Sequence, residues 1–407
     1  MLHRSTIATS ACLAVAALIA AGSLASDAFA QYAVGTSNVT FVDPARGNRS
    51  IPVDLYYPAQ SAGAGQPVAD PPLEGFPAVA FGHGFQIAAA NYAWIATRLA
   101  GEGCVVAVPR TAGELFPDHE AFGLDLAFAA RSLRDAGADP ASPFFGRMGP
   151  RTLVMGHSMG GGCSMLAAGG DTSITAVANF AAAETNPSAV TACGLIDRPA
   201  LVFAGGNDCV TPPADHQIPM YEALTGWRTL VTIDGASHCQ FNSYSFLCDF
   251  GESCSAGISR EAQQDLVWLL LKPWMRAILF LDSTALRDFF TLLEAGAGFT
   301  YEQDGVPTGA EARVPPVACR LSAFPNPFNA SIMLRAEIAA GGPARLVIFD
   351  AGGRRVRVIV ERSLAAGPHT FHWDGRTDAR GDAPSGIYFA RLSGSGGTTV
   401  AKLVLVR

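Results

Sequence analysis

The sequence predicts an α/β chain: a doubly wound, mostly parallel sheet with an antiparallel leading edge, followed by a small all-β sandwich. Three observations carry this expectation. Short apolar runs alternate with amphipathic helical periods from Gln31 to about Thr300. The stretch "QDGVPTGAEARVPPVACR", Gln303 to Arg320, then breaks every apolar period and contains three prolines. Beyond it, strand-like segments with closely spaced turns fill the chain to Arg407 without a helical period. Buried parallel strands separated by helices make a sheet covered on both faces, and short strands joined by tight turns make a sandwich.

Taken in order, the first thirty residues read as a processing signal. Arg4 supplies a positive start, Ile7 to Leu24 an apolar core, and Ala28-Phe29-Ala30 a small-x-small cleavage site. Cleavage there makes Gln31 the first mature residue. No later segment holds the ~18 uninterrupted apolar residues a membrane span requires. The most apolar one, "LVWLLLKPWMRAILFL", is interrupted by Lys272, Pro273 and Arg276 and reads as packed helices.

A hairpin is expected next, because "NVTFVDPARGNRSIPVDLYYPA" alternates and turns at Pro44 to Asn48. The runs "PAVAFG", "CVVAVP", "RTLVMG", "AVANF", "PALVFAG" and "TLVTI" follow as strands. Between the early ones, Tyr92, Ile95 and Leu99, then Phe122, Leu126, Ala129 and Leu133, recur at helical spacing. After the linker, "SIMLRAEI", "ARLVIFD", "RRVRVIV", "HTFHW", "GIYFARL" and "VAKLVLVR" supply the sandwich. The organisation is a signal over 1–30, a catalytic domain over 31–302, a linker over 303–320 and a β-domain over 321–407.

Composition narrows the function. Hydrophobic residues make up 49% of the chain and charged ones 15%, which describes large buried surfaces. The net charge of −7 contains no acidic or basic block, which argues against nucleic acid or an anionic membrane as partner. Export implies an oxidising compartment. Cys12 leaves with the signal, and Cys104, Cys163, Cys193, Cys209, Cys239, Cys248, Cys254 and Cys319 remain. Cys248 and Cys254 flank the short loop "DFGES" and form the expected local pair. Cys104 and Cys163 lie in apolar runs and are expected as buried thiols.

The chemistry centres on Gly156-His157-Ser158-Met159-Gly160, which fits G-x-S-x-G between an apolar strand and an apolar helix. A serine at so sharp a turn is strained, and glycines two positions either side remove the collision that side chains would cause. A serine nucleophile needs a base, an acid to orient the base, and donors for the oxyanion. Asp208 follows "PALVFAGGN" and His238 follows "TLVTIDGAS", both in loops after strand ends and in the order nucleophile, acid, base. Among competitors, His216 reads as a helix start, His119 precedes the serine, His369 and His372 belong to the β-domain, and Asp234 shapes a turn. Met159 supplies one oxyanion N–H. The glycine-rich turn "GHGF" after "PAVAF" places Phe85 to supply the other, with His83 as its brace. Phe241, Tyr244 and Phe246 after the histidine are expected first as helix packing and second as a pocket lining.

"GHSMGGG", "VFAGGNDCVTPP" and "DGASHCQFN" resemble the α/β-hydrolase superfamily, specifically its dienelactone-hydrolase, chlorophyllase and cutinase-like polyesterase neighbours. The resemblance covers about Thr36 to Thr300. It implies Ser158 as nucleophile, His238 as general base, Asp208 as orienting acid, Phe85 and Met159 as oxyanion donors, and no cofactor or metal. It departs from the polyesterases at "GHGF", where they carry proline-glycine-aromatic, and at "AAAETNPSA", where they carry an aromatic wall. Cys209 and Cys239 adjoin the acid and the base, so either a Cys209–Cys239 disulfide ties the two loops or both are separately buried thiols. "FPNPFN", "WDG" and "SGIYFARL" resemble the Ig-like C-terminal sorting domains of type IX-type secretion and the related fold of flagellar hook-capping proteins. That resemblance implies export or surface attachment, with Trp373 filling the core; "RGD" at Arg380 to Asp382 reads as chance in a polar turn.

The expected function is a secreted, monomeric serine carboxylesterase for short to medium acyl esters or polyesters such as cutin or PET, with the secretion machinery as partner of its tail. A lipid-ester acylhydrolase or peptidase of the same fold stays open, as does an inactive surface or adhesion protein.

Overall fold

The structure is a computed structural model that describes residues 32–72, 74–306, 320–338, 341–350, 354–365, 367–379, 381–394 and 397–407. The signal segment, Gln31, most of the linker, Cys319 and Arg380 of the "RGD" stretch lie outside the described residues. The chain divides into two compact units, Met1–Val306 and Pro307–Arg407.

The larger unit is built on one sheet. Its leading hairpin joins β1 (Ala33–Asp43) to β2 (Arg49–Ala59) in antiparallel register, Phe41 opposite Ile51, and β3 (Gly63–Ala64) extends the edge. Asp43 caps the turn by accepting the N–H of Ala45, and Gly47 takes the left-handed conformation that lets the chain reverse. β4 (Phe76–Gly82), β5 (Val105–Pro109), β6 (Met148–His157), β7 (Ala176–Phe180), β8 (Ala200–Gly205) and β9 (Arg228–Ile233) form the parallel block. The strand order is β10-β9-β8-β7-β6-β4-β5-β2-β1-β3, with β10 (Phe299–Asp304) antiparallel to β9. Gln303 and Asp304, at the start of the expected linker, therefore belong to the sheet, held by pairing with Thr229 and Arg228 rather than by any apolar period.

β4, β5, β7 and β8 are buried along their whole length, which explains why they read as continuous apolar runs rather than alternating ones. α1 (Ala93–Gly101) and α7 (Arg260–Leu279) contribute to one apolar layer through Ile95, Leu99, Leu271 and Trp274. α2 (His119–Asp135) and α3 (Met159–Gly170) contribute to a second through Phe122, Leu126, Cys163 and Met165. α4 (Ala189–Cys193), α5 (Gln217–Ala223), α6 (Phe246–Gly251) and α8 (Ser283–Ala295) complete this unit. The segment expected as packed helices is one helix, α7, that runs through Pro273. Lys272 and Arg276, the charges that interrupt it, both reach Glu102, at 2.6 and 3.2 Å. No helix among the described residues is long and apolar enough to cross a membrane.

The smaller unit packs two antiparallel sheets around Trp373. One is β11 (Arg320–Phe324), β12 (Ile332–Ile338) and β15 (Gly367–Trp373). The other is β14 (Arg355–Leu364), β13 (Gly342–Asp350), β16 (Gly386–Gly394) and β17 (Gly397–Leu405), in that spatial order. Trp373 is fully buried, and its indole N–H donates to the carbonyl of Arg376 at 2.9 Å, so the one polar atom of this core residue is satisfied.

A buried ion pair ties the hairpin to α2. Asp125 is fully buried and receives Arg49 in a two-pronged bond, Nε and Nη2 each at 2.8 Å, with Arg46 Nη2 at 2.7 Å. Removing the carboxylate leaves Arg49 half-buried without its counter-charge. Arg49 and Arg46 keep partial access to solvent, so Asp125→Ala is expected to destabilise the larger unit by roughly 1–3 kcal/mol. Urea unfolding followed by tryptophan fluorescence measures this.

Candidate functional site

The sequence at the end of β6 forces an abrupt change of direction. Ser158 has φ 55° and ψ −121°, a conformation that L-residues seldom adopt, and it stands between the last strand residue and the first residue of α3. The turn leaves no room for side chains beside it. A Cβ on Gly156 would overlap the carbonyl of Gly160, and one on Gly160 would overlap the carbonyl of Gly82 at the end of β4. The elbow is thus pressed directly against the loop that carries Phe85.

That loop runs from His83 to Ala88. His83 is buried, with one ring nitrogen 2.7 Å from the carbonyl of Thr111 and the other 2.9 Å from that of Gly84, which fits the expected brace. Phe85 sits at the turn with its side chain 45% exposed, followed by Gln86 at φ 55°. Gln86 donates to the carbonyls of Gly113 and Glu114, both at 3.0 Å, and so fixes the outer end of the loop. Met159 is the first residue of α3, where a backbone N–H has no intrahelical acceptor. Neither its N–H nor that of Phe85 is hydrogen-bonded to a described residue.

The acid and base loops leave β8 and β9 at the same, carboxyl-terminal end of the parallel block. His238 Nδ1 lies 2.8 Å from Asp208 Oδ2, with both side chains almost fully buried. Asp208 Oδ1 accepts the N–H groups of Val210 and Thr211, at 2.9 and 2.8 Å. The Thr211 hydroxyl lies 2.9 Å from Asp208 Oδ2, 3.1 Å from the carbonyl of Ala181 and 3.0 Å from His238 Nδ1. Oδ1 is thus occupied by two backbone donors, and Oδ2 faces the imidazole and the Thr211 hydroxyl, whose single proton goes to Oδ2 or to the Ala181 carbonyl. With Nδ1–H committed to Asp208, Nε2 is the free base nitrogen. The Ser158 hydroxyl is not hydrogen-bonded to His238 or to any other described residue. The Asp208–His238 contact is thus made, whereas Ser158 and His238 are not hydrogen-bonded to one another.

Asp234, the rival acid, makes no side-chain contact with His238; its N–H donates to the carbonyl of Gly298. His216 and His119 have a different task in common. His216 Nδ1 accepts the N–H of Glu184 at 2.9 Å, and His119 Nδ1 accepts that of Asn186 at 3.2 Å, so both hold the loop after β7. Phe241 is fully buried and stacks on Phe180 at 5.8 Å, whereas Tyr244 and Phe246 are exposed. The three aromatics thus split between core packing and surface.

The expected disulfide pairs are corrected by the structure. Neither Cys248–Cys254 nor Cys209–Cys239 forms; the bonds are Cys209–Cys254 and Cys239–Cys248. The cysteine beside the acid and the cysteine beside the base are each joined to the segment around α6 instead of to one another. Glu252, in the same segment, accepts the N–H groups of His238 at 2.6 Å and Cys239 at 3.0 Å. The segment therefore straps both loops from outside. In the chain-entropy picture the two closures, of 45 and 9 residues, stabilise by about 4 and about 2.6 kcal/mol taken singly. Cys104, Cys163 and Cys193 are buried free thiols, and burial pushes the Cys193 thiol up to about 12.

Sequence reasoning also missed Thr211, Glu252 and the environment of His157. The His157 ring is fully buried, 4.6 Å from that of His238 between centroids, with Nδ1 2.8 Å from the Tyr92 hydroxyl and Nε2 3.1 Å from the carbonyl of His238. Burial, reinforced by the neighbouring His238, holds its pKa well below the ordinary histidine value.

Two parts of the chain match known protein families. Residues 24–252, more than half of the chain, match the PET hydrolase-like family, and residues 328–397 match the FlgD Ig-like domain. A bis(hydroxyethyl) terephthalate hydrolase of Streptomyces coelicolor is 30% identical over 171 residues, which cover 41% of this chain and 52% of that protein. The chain thus spans about half the length of this relative.

Two outcomes are expected. Non-reducing peptide mapping should recover one linked peptide pair through Cys209 and Cys254 and another through Cys239 and Cys248. Because the folded state keeps His157 neutral while an unfolded histidine protonates near pH 6.5, its contribution is complete above that pH and is lost as pH falls below it. Half-buried His216, depressed mainly by desolvation, adds a slope of the same sign. His157→Gln should flatten the loss of unfolding free energy between pH 6.5 and 5 by up to ~1.4 kcal/mol per pH unit, read from urea titrations at each pH.

Proposed function

This chain belongs to the PET hydrolase-like family, and on that footing we propose that its larger unit hydrolyses carboxylic esters through an acyl-enzyme on Ser158. The observation that carries this reading is the buried His238–Asp208 contact of 2.8 Å, set at the same sheet end as a serine with φ 55°. Asp208 holds the Nδ1–H tautomer of His238, so Nε2 takes the proton of Ser158 Oγ as that oxygen attacks the ester carbonyl carbon. The Oγ–Nε2 link closes when substrate is bound. The N–H groups of Phe85 and Met159 receive the negative oxygen of the tetrahedral intermediate. Collapse breaks the bond to the alcohol oxygen, which takes the proton from His238. Water then repeats the sequence, giving its proton to Nε2 and releasing the acid and the free serine.

The substrates are short to medium acyl esters, extending to polyesters. Two features support this breadth. The loops after β4, β5 and β8, and helix α6 after β9, expose Phe85, Phe116, Val210 and Phe250, apolar side chains suited to an extended apolar ester. The relative from Streptomyces is named for a terephthalate ester. The amino-terminal signal and two disulfides support export, and the Ig-like unit supports sorting to the cell surface through the secretion machinery.

An ester panel from p-nitrophenyl acetate to long acyl chains, with a polyester film, tests this proposal. Wild type should prefer short to medium acyl groups, and Ser158→Ala should lose at least ~10⁴-fold in kcat on every ester. A folded wild type that neither turns over any ester nor labels with a fluorophosphonate would overturn it.

A further inference from the structure

One chain of hydrogen bonds passes behind all three parts of the proposed machinery. The Tyr92 hydroxyl accepts the N–H of Gly84 at 2.9 Å and lies 2.8 Å from His157 Nδ1. His157 Nε2 lies 3.1 Å from the carbonyl of His238. Tyr92 and His157 are both fully buried, so no solvent can substitute for a missing link.

Chemistry fixes the direction of every bond. A backbone N–H only donates and a carbonyl only accepts. Gly84 therefore donates to the tyrosine oxygen, and His157 must carry its proton on Nε2 to donate to the His238 carbonyl. That leaves Nδ1 as an acceptor, and the single hydroxyl proton of Tyr92 fills it. The chain reads Gly84 N–H to Tyr92 O–H to His157 Nδ1, and His157 Nε2–H to His238 C=O. No other assignment satisfies all four groups.

Each anchor is at or next to a reacting atom. Gly84 precedes Phe85, the proposed oxyanion donor; His157 precedes Ser158, the proposed nucleophile; the last acceptor belongs to His238, the proposed base. Gly84 has the tight surroundings such a link needs, since a Cβ there would crowd the Tyr92 hydroxyl and the His157 ring.

We infer that Tyr92 and His157 are positioning residues, forming a one-way relay that holds the oxyanion loop, the nucleophile elbow and the base loop in a single mutual geometry. The inference rests on the esterase reading above. The relay transfers no proton during the reaction. It fixes where the Phe85 N–H and the His238 ring stand relative to Ser158, and small displacements of such groups lower the rate of the chemical step rather than the binding of substrate.

The test separates positioning from simple packing. Tyr92→Phe keeps the ring and removes only the hydroxyl, and is expected to lower kcat on p-nitrophenyl butyrate at least ten-fold with KM within about two-fold. His157→Leu, which removes both nitrogens, should lower kcat similarly. Adding Tyr92→Phe to it should then cost less than three-fold more, because the relay is already cut. His157→Gln, whose amide oxygen and nitrogen reproduce the acceptor and donor, should recover most of the activity lost in His157→Leu. Additive losses, or failure of Gln to outperform Leu, overturn the relay and leave packing as the explanation. Nitrogen-15 histidine spectra of the wild type give a readout that no variant's folding can obscure: the relay requires His157 protonated at Nε2 alone at neutral pH, and an Nδ1–H tautomer overturns it. Wild-type turnover with an unimpaired Tyr92→Phe enzyme sinks only the relay. A wild type without turnover sinks the esterase reading and, with it, the positioning role.

Discussion

The turn at Ser158 is the constraint on which the rest of the larger unit depends. A strand that ends at His157 and a helix that begins at Met159 leave one residue to reverse the chain, and that residue is held at φ 55°. Such a conformation persists only when its surroundings over-determine it. Here they do so by close approach: Gly160 sits against the carbonyl of Gly82, and Gly156 against that of Gly160. The Ser158 N–H donates to Phe180 at the end of β7, and its carbonyl accepts from Ala183 and Gly162. The same contacts that hold the strain bring the end of β4 and its loop alongside the N-terminus of α3.

Asp208 and His238 have no such support from the sheet. Their loops continue past the last ladder hydrogen bonds of β8 and β9, and fixing a loop backbone costs about 1–2 kcal/mol per residue in conformational entropy. The chain offsets this with cross-links placed directly beside the working residues. Cys209 follows Asp208, Cys239 follows His238, and both are joined to the segment that also presents Glu252 to the backbone of His238. A direct Cys209–Cys239 bond would have tied the loops only to each other. Joining each to a third segment ties them also to α7, whose Arg260 bonds Asp249 of that segment.

What was legible in the sequence follows from range. The parallel strands and the elbow are local patterns, an apolar run with a glycine-flanked serine at its end, and the structure places them where the sequence does. Trp373 is likewise legible, because a lone tryptophan among alternating strands has one low-energy place to go. The disulfides were not, since Cys248 and Cys254 are neighbours in sequence while the partners they take are set by how two distant loops approach. Pro273 misled because α7 accommodates it inside one continuous helix. Thr211 and Glu252 carry no sequence signature; a threonine three residues past an acid and a glutamate between two cysteines are common, and only the fold gives them partners. His157 occupies a variable position of G-x-S-x-G, so the motif assigns it no partner, and only the fold brings Tyr92 and His238 to its ring.

The division between buried and exposed parts bears on how such a site evolves. Six groups that fix geometry are buried, His83, Tyr92, His157, Asp208, Thr211 and His238, while Gln86 and Glu252 brace the loops from partly exposed positions. Large apolar side chains that stay exposed lie on loops, as Phe85 and Phe116 do, or on the short helix α6, as Phe246 and Phe250 do. A buried hydrogen-bonded group resists substitution because its partner is left unsatisfied at a cost of about 1–3 kcal/mol, whereas an exposed apolar residue changes at small cost. Specificity can therefore drift at such exposed positions while the interior keeps its arrangement. The relay sharpens this asymmetry. Its direction is set by a backbone N–H at one end and a carbonyl at the other, so the interior tolerates only side chains that accept and donate at the separation of the two imidazole nitrogens. Histidine and glutamine meet that requirement, and few other residues do.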